Sequence, residues 1–351
     1  MRTGLRATVV LACAVLALAG ALAASPGSAS ITPPEHRRGE EQTFLTYPEW
    51  FLVHSPAEYA AYAQDHTPSD FPFWGHIGQL WRSYGAVTRA THDYPFNLGY
   101  HVMICVIATS TTLEYALRSA YETVVGRVTE LTMSHAMTEE DRYGARVAQD
   151  YVDFIRVQPW YEYDFAARLR GLWRETSLIG PDLLRKWERK YALTTEYGVK
   201  AVYGWLIKRA TKASYDEPLP VTAVIVDRLP ANAPAQLPGL KALLEMPGGP
   251  ALITVPRYAA FKRHAVALAK GGATFREIAG NGAQARILLT LLTPADWTPA
   301  FTGSSVLFED PILTRPGRKR VALVLPVGEL AAALNALAGA RGIEIEHIYD
   351  Y

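Results

Sequence analysis

Thirty of the chain's 38 phenylalanine, tryptophan and tyrosine side chains lie between Thr43 and Asp216. Large rings carry much of the apolar burial available per residue. A segment so rich in them must build a ring-filled interior or display rings on its surface. From Glu217 onward rings are few, and Ala, Gly, Pro and Val increase. The change falls at "SYDEPLP", where Pro218 and Pro220 stop any helix. The expectation is therefore two domains, a helical aromatic-rich one over 43–216 and a smaller α+β one over 217–351. With 351 residues, 49% hydrophobic and 20% charged, the chain has a globular composition. A formal net charge of +1 provides no overall field toward nucleic acid or an acidic membrane. The compact basic run "RPGRKR", Arg315 to Arg320, has no base-stacking motif beside it and reads as a solvated hairpin; no nucleic-acid partner is expected.

Arg2 and Arg6, an apolar run from Ala7 to Ala24 and then "SPGSAS" form the basic, apolar and small-residue order of a secretory signal over 1–29. Ala21-Leu22-Ala23 and Gly27-Ser28-Ala29 fit a cleavage site. The competing reading is an uncleaved anchor, with the chain tethered to a membrane by residues 7–24. A polar spacer over 30–42 follows. The chain is thus expected to be exported, in the periplasm or outside the cell, or tethered. Only Cys105 lies beyond the signal, so no internal disulfide is expected and the core must hold the fold. Ile104 and Val106 place Cys105 in an apolar stretch, which reads as burial.

Helices are expected along 43–216. Ser55, Pro56 and Glu58 resemble a capping box that starts one. Thr138 with Asp141 starts another, carrying Tyr143, Val147, Tyr151 and Phe154 on one stripe. A short helix should bury Phe165, Leu169 and Trp173. Leu183, Leu184, Trp187 and Tyr191 define a further stripe, and Val199, Val202, Tyr203 and Leu206 a last one. Beyond 217, short β-branched runs alternate with two helices, which suggests a mainly antiparallel, ferredoxin-like sheet. Gly280-Asn281-Gly282 reads as a hairpin turn between "ATFREIAG" and "ARILLTLL". No internal repeat is visible at a fixed period.

Residues 98–117 form the other apolar stretch. Glu114 within it would cost on the order of 3 kcal/mol in a bilayer, so a buried helix is preferred to a second span. Glu114, Arg118 and Glu122 share a helical face, and with His101 form a candidate polar cluster.

No serine-nucleophile, zinc-protease, phosphate-loop or paired-cysteine motif occurs, and neither a cofactor nor a metal site is expected. His135 and Glu139 have ligand spacing but fall on opposite sides of the proposed cap at Thr138. Two aromatic–carboxylate clusters remain. "TYPEWF" offers Glu49 with Tyr47 and Trp50. "PWYEYDF" offers Glu162 and Asp164 with Trp160, Tyr161 and Tyr163. Rings and carboxylates together suit sugars, and a carboxyl in an apolar pocket can act as an acid. The preferred reading of the second cluster is a helix-starting corner. The preferred function is a non-catalytic binding or assembly protein of a bacterial-type envelope, its partner an envelope component or a glycan. The alternatives are a carboxylate-dependent hydrolase of a glycan or wall polymer, and an inner-membrane protein spanning at 98–117.

Overall fold

A computed structural model describes residues 30–212, 219–245 and 249–351. Residues 1–29, read as signal or anchor, and Pro218 at the composition boundary lie outside the described residues. The chain is a mixed helix-and-sheet protein with antiparallel sheets. Its contacts gather into two units, one from 49–81 and 98–212, the other from 30–48, 82–97 and the described residues of 219–351.

The first unit is helical. Its elements are α1 (Tyr47–Tyr62), α2 (Phe73–Ala90), α3 (Leu98–Tyr121), α4 (Glu139–Ile155), α5 (Phe165–Glu175) and α6 (Leu183–Lys212), of which α1 begins and α2 ends in residues of the other unit. Ser55 and Pro56 lie inside α1 rather than at its start. The Ser55 hydroxyl has tertiary partners instead of a capping role, the Tyr115 hydroxyl at 2.7 Å and His76 Nδ1 at 3.0 Å. The cap at Thr138 is as expected: its Oγ1 accepts from the Asp141 amide at 3.1 Å, and Asp141 Oδ2 accepts from the Thr138 amide at 3.0 Å. Helix α3 passes into a π-helical segment, Glu122–Gly126, and then into a last turn, Arg127–Glu130. No helix among the described residues is long and apolar enough to cross a membrane.

Helix α6 departs most from expectation. One 30-residue helix replaces the two expected stripes, and their residues face outward. Trp187 and Tyr191 are exposed, while Arg185, Lys186, Arg189 and Lys190 are buried. The cause is pairing. Acidic residues from the π segment, from Arg127–Glu130 and from the first turn of α4 surround this basic run. A buried ion is tolerated only with such partners. Two smaller expectations also fail. Cys105 is exposed on α3, and Trp173 is exposed on α5, where Phe165 and Leu172 are the buried residues.

The second unit has two sheets, not the single one expected. Strands β1 (Val221–Val226), β2 (Lys241–Glu245), β3 (Ala251–Pro256), β4 (Phe275–Ile278) and β5 (Asn281–Gly282) stand in the order β2-β3-β1-β4-β5. Strands β6 (Arg286–Pro294), β7 (Ser305–Pro311), β8 (Arg318–Pro326) and β9 (Glu344–Tyr349) stand in the order β7-β8-β6-β9. Helix α7 (Ala259–Lys270) follows β3, and α8 (Leu330–Ala338) follows β8. Both sheets thus repeat one plan: three strands, a helix and a fourth strand, ordered second, third, first, fourth. A left-handed glycine, Gly272 or Gly342, turns the chain from each helix toward the fourth strand. The turn at Gly280 leads from β4 into β5, while β6 pairs with β8 and β9, so the expected pairing across Gly280-Asn281-Gly282 does not form. Phe261 and Leu268 of α7, Leu334 of α8, and Ile253 and Leu289 from the two sheets share one core. A fully buried side chain of this size contributes about 1.5–3 kcal/mol.

Candidate functional site

A cavity of about 200 Å³ lies within the helical unit, walled by parts of α1, α2, α3, α4, α5 and α6 and by the 3₁₀ turn Trp160–Glu162. Most of its wall is aromatic or aliphatic: Phe51, Tyr59, Phe73, Tyr151, Trp160 and Tyr197 contribute rings. Helical periodicity brings them together, since Val147 and Tyr151 lie four residues apart on α4, as do Leu193 and Tyr197 on α6.

Four charged side chains complete the wall: Glu114 and Arg118 from α3, Glu196 and Lys200 from α6. Lys200 Nζ lies 2.8 Å from Glu196 Oε1 and 3.0 Å from Glu114 Oε1. Arg118 Nη1 lies 3.6 Å from the same Glu196 oxygen, and its guanidinium sits 4.2 Å above the Tyr59 ring. Burial opposes ionisation of Glu196, but the Arg118 and Lys200 charges outweigh it and hold the carboxyl at about 2. Burial likewise opposes charge on Arg118 and Lys200, and the neighbouring carboxylates override it, so both are held above their usual values. Burial pushes the Tyr151 hydroxyl up to about 12. The four charges sum to zero, and each already has an opposite partner.

Tyr115, itself part of the cavity wall, joins a buried polar relay. Its hydroxyl meets Ser55, Ser55 meets His76, and His76 Nε2 lies 3.6 Å from Glu58 Oε2. A serine, a histidine and an acid are the components of a hydrolytic triad. Here the serine is buried in mid-helix beside Pro56, with its hydroxyl held between Tyr115 and His76. The relay serves as hydrogen bonding within the core.

Of the candidate site residues singled out in the sequence, Glu114, Arg118 and Trp160 meet at the cavity and the others do not. Of the polar cluster, Glu114 and Arg118 line the cavity, whereas Glu122 pairs with Arg189 at 2.9 and 3.0 Å. His101 is buried in α3, and burial lowers its pKa. Of the aromatics, Trp160 lines the cavity and stacks on Tyr203 with ring centres 5.3 Å apart. Tyr161 lies beside it in the turn. Tyr163 is buried and donates to Asp150 at 2.7 Å. Tyr47 belongs to the other unit, buried edge-on against Phe308. Trp50 is half-buried, near His54.

The candidate acids have other engagements. Glu49 accepts from the Tyr100 hydroxyl, and Glu162 is paired with Lys208. Asp164 caps α5, accepting from the Ala167 amide at 2.8 Å. "PWYEYDF" is thus a helix-starting corner that also lends Trp160 to the cavity. His135 and Glu139 part company too: His135 pairs with Asp182, and Glu139 accepts from Ser177. Among the described residues no group of three or more His, Cys, Asp or Glu side chains is placed to hold a metal ion.

Sequence reasoning missed Glu196 and Lys200. Their spacing of four is the ordinary mark of a surface ion pair, and nothing local tells that Glu114 and Arg118 meet them from another helix. No known protein family, curated protein or solved structure matches the chain.

Proposed function

We propose that the chain is an exported, non-catalytic binding protein of the cell envelope. Its helical part, 43–216, holds the binding site, and 217–351 forms a second domain. The carrying observation is the ring-lined cavity edged by a charge-balanced set of Glu114, Arg118, Glu196 and Lys200. An apolar cavity of roughly 150 Å³ accepts benzene, so this one suits a single ring or a short branched chain. Because the four charges cancel, the ligand class is uncharged: an apolar body with a small polar group such as a hydroxyl.

Two observations favour binding over hydrolysis. Glycoside cleavage needs a carboxyl held protonated near neutral pH, whereas Glu196 is held ionised. Glu49, Glu162 and Asp164 are engaged elsewhere and are absent from the cavity wall. The test is titration of the full chain with p-cresol and toluene, read by thermal shift and tryptophan fluorescence. Stabilisation is expected, and it should vanish in Ala148→Phe, which fills the cavity. Equal stabilisation of that variant, or none of the unmodified chain, would contradict the proposal.

A further inference from the structure

The helical unit keeps its charges inside and its aliphatic and aromatic side chains outside along two neighbouring helices. On α6, no exposed position from Leu183 to Leu206 is charged. Leu184, Trp187, Tyr191, Val199, Val202 and Leu206 mark that face. The charged residues of the same stretch are turned inward and paired: Arg185 to Glu130 and Asp141, Lys186 and Lys190 to Glu140, Arg189 to Glu122 and Glu188, Lys200 to Glu114 and Glu196. Twenty-four residues of helix give this uncharged face a length of about 36 Å.

Helix α3 continues the face. It exposes Val106, Leu113 and Leu117, and its one exposed charge, Glu114, is tied to Lys200. The two helices run antiparallel, bridged by the Glu114–Lys200 and Arg118–Glu196 pairs and by Tyr121 against Tyr191. The π segment adds Val124 and Val125, and the turn after it Val128, next to the exposed Arg127, which is paired with Asp70.

We propose that this face rests on a lipid bilayer, with acyl chains as its occupant. In water, ionised side chains gain by facing solvent; against hydrocarbon, which offers no hydrogen-bond partner, turning the charges of α6 from Leu183 to Leu206 inward becomes the favoured arrangement. A protein partner would call for a polar, charged rim around an apolar centre, and over the Leu183–Leu206 stretch none is present. The end of the face has interfacial chemistry instead. Arg209 stacks 4.6 Å above the exposed Trp205 ring, a pairing of aromatic body and cationic tip suited to the headgroup level. The inner sides of α3 and α6 are charged and neither helix is apolar enough to cross a membrane. The unit therefore lies on the membrane. The contact is separate from any tether by residues 7–24, and it borders the cavity, since Val106 and Glu114 belong to both.

Site-directed spin labelling of the full chain on phosphatidylcholine vesicles tests this. L113C, V202C and L206C probe the face, and R146C and D153C probe exposed positions on α4, all in a C13S/C105S background. Power saturation compares contact with oxygen, which partitions into lipid, against contact with a water-soluble nickel chelate. The oxygen-to-nickel ratio should be several-fold higher at the three face positions than at the two on α4. A water-like ratio at all five would overturn the proposal, even if an N-terminal tether held the chain on the vesicle. So would low contact with both reagents together with spin–spin broadening between copies, which would assign the face to a second copy of the chain.

Discussion

Arg189 meets Glu122 with both terminal guanidinium nitrogens, Nη1 on Oε1 at 2.9 Å and Nη2 on Oε2 at 3.0 Å, and both side chains are nearly fully buried. The pair binds the π segment to the middle of α6. Glu188 adds a second carboxylate to the same guanidinium. Breaking one side of a buried pair leaves the other charge without compensation. Glu122→Ala should therefore lower unfolding free energy by on the order of 3 kcal/mol in urea titrations. Replacing both partners together, as in E122L/R189M, should recover much of that loss.

Gly126 sits against this pair. A Cβ there would meet Glu122 Oε2 at 2.4 Å and Ser69 Oγ at 2.8 Å, and Arg189 prevents the carboxylate from withdrawing. Gly126→Ala should destabilise by about 1–3 kcal/mol, the usual range for overpacking, although alanine is the better helix former. A neutral or stabilising result in thermal unfolding would show that the π segment can relax.

The Glu196 carboxyl connects stability to pH. Its value near 2 lies below the ordinary carboxyl value of 4.5, so the folded state favours its ionised form. The sign follows from linkage: the contribution is complete above about pH 4.5 and is lost as pH falls toward 2. A shift of this size corresponds to roughly 3 kcal/mol. Urea unfolding at pH 5 and pH 3 should show a smaller acid loss in Glu196→Gln than in the unmodified chain. Equal losses would mean that the carboxyl titrates normally.

In the sheet unit, Thr43 accepts from the Leu288 amide at 2.9 Å and donates to the Tyr349 carbonyl at 2.6 Å, wholly buried. The hydroxyl closes a gap between the backbones of β6 and β9. Thr43→Val keeps the shape but leaves both backbone groups without this partner, at a cost of about 1–3 kcal/mol. Denaturant unfolding would measure it.

The sequence displayed elements more clearly than orientations. The Thr138–Asp141 cap and the corner at Pro159 were legible because their partners are local. The spacing of Leu184, Trp187 and Tyr191 marks one side of α6 correctly, but periodicity does not say which side faces in. That depends on Glu122, Glu130, Glu140 and Asp141, which lie more than 40 residues away in the chain. The same distance hid half of the cavity: Glu114 and Arg118 were legible as one helical face, while Glu196 and Lys200 join them only in the fold. The two sheets share a topology without a readable repeat, since strand order is set by pairing partners and not by residue identity.

The central claim is the inverted burial of α6, and amine acetylation resolved by mass spectrometry tests it most directly. Lys186 and Lys190 are buried against Glu140, whereas Lys241 and Lys270 are exposed. Under folded conditions Lys241 and Lys270 should be modified readily and Lys186 and Lys190 hardly at all, with all four reacting alike in urea. Modification of Lys186 and Lys190 at the rate of Lys241 in the folded chain would contradict the account.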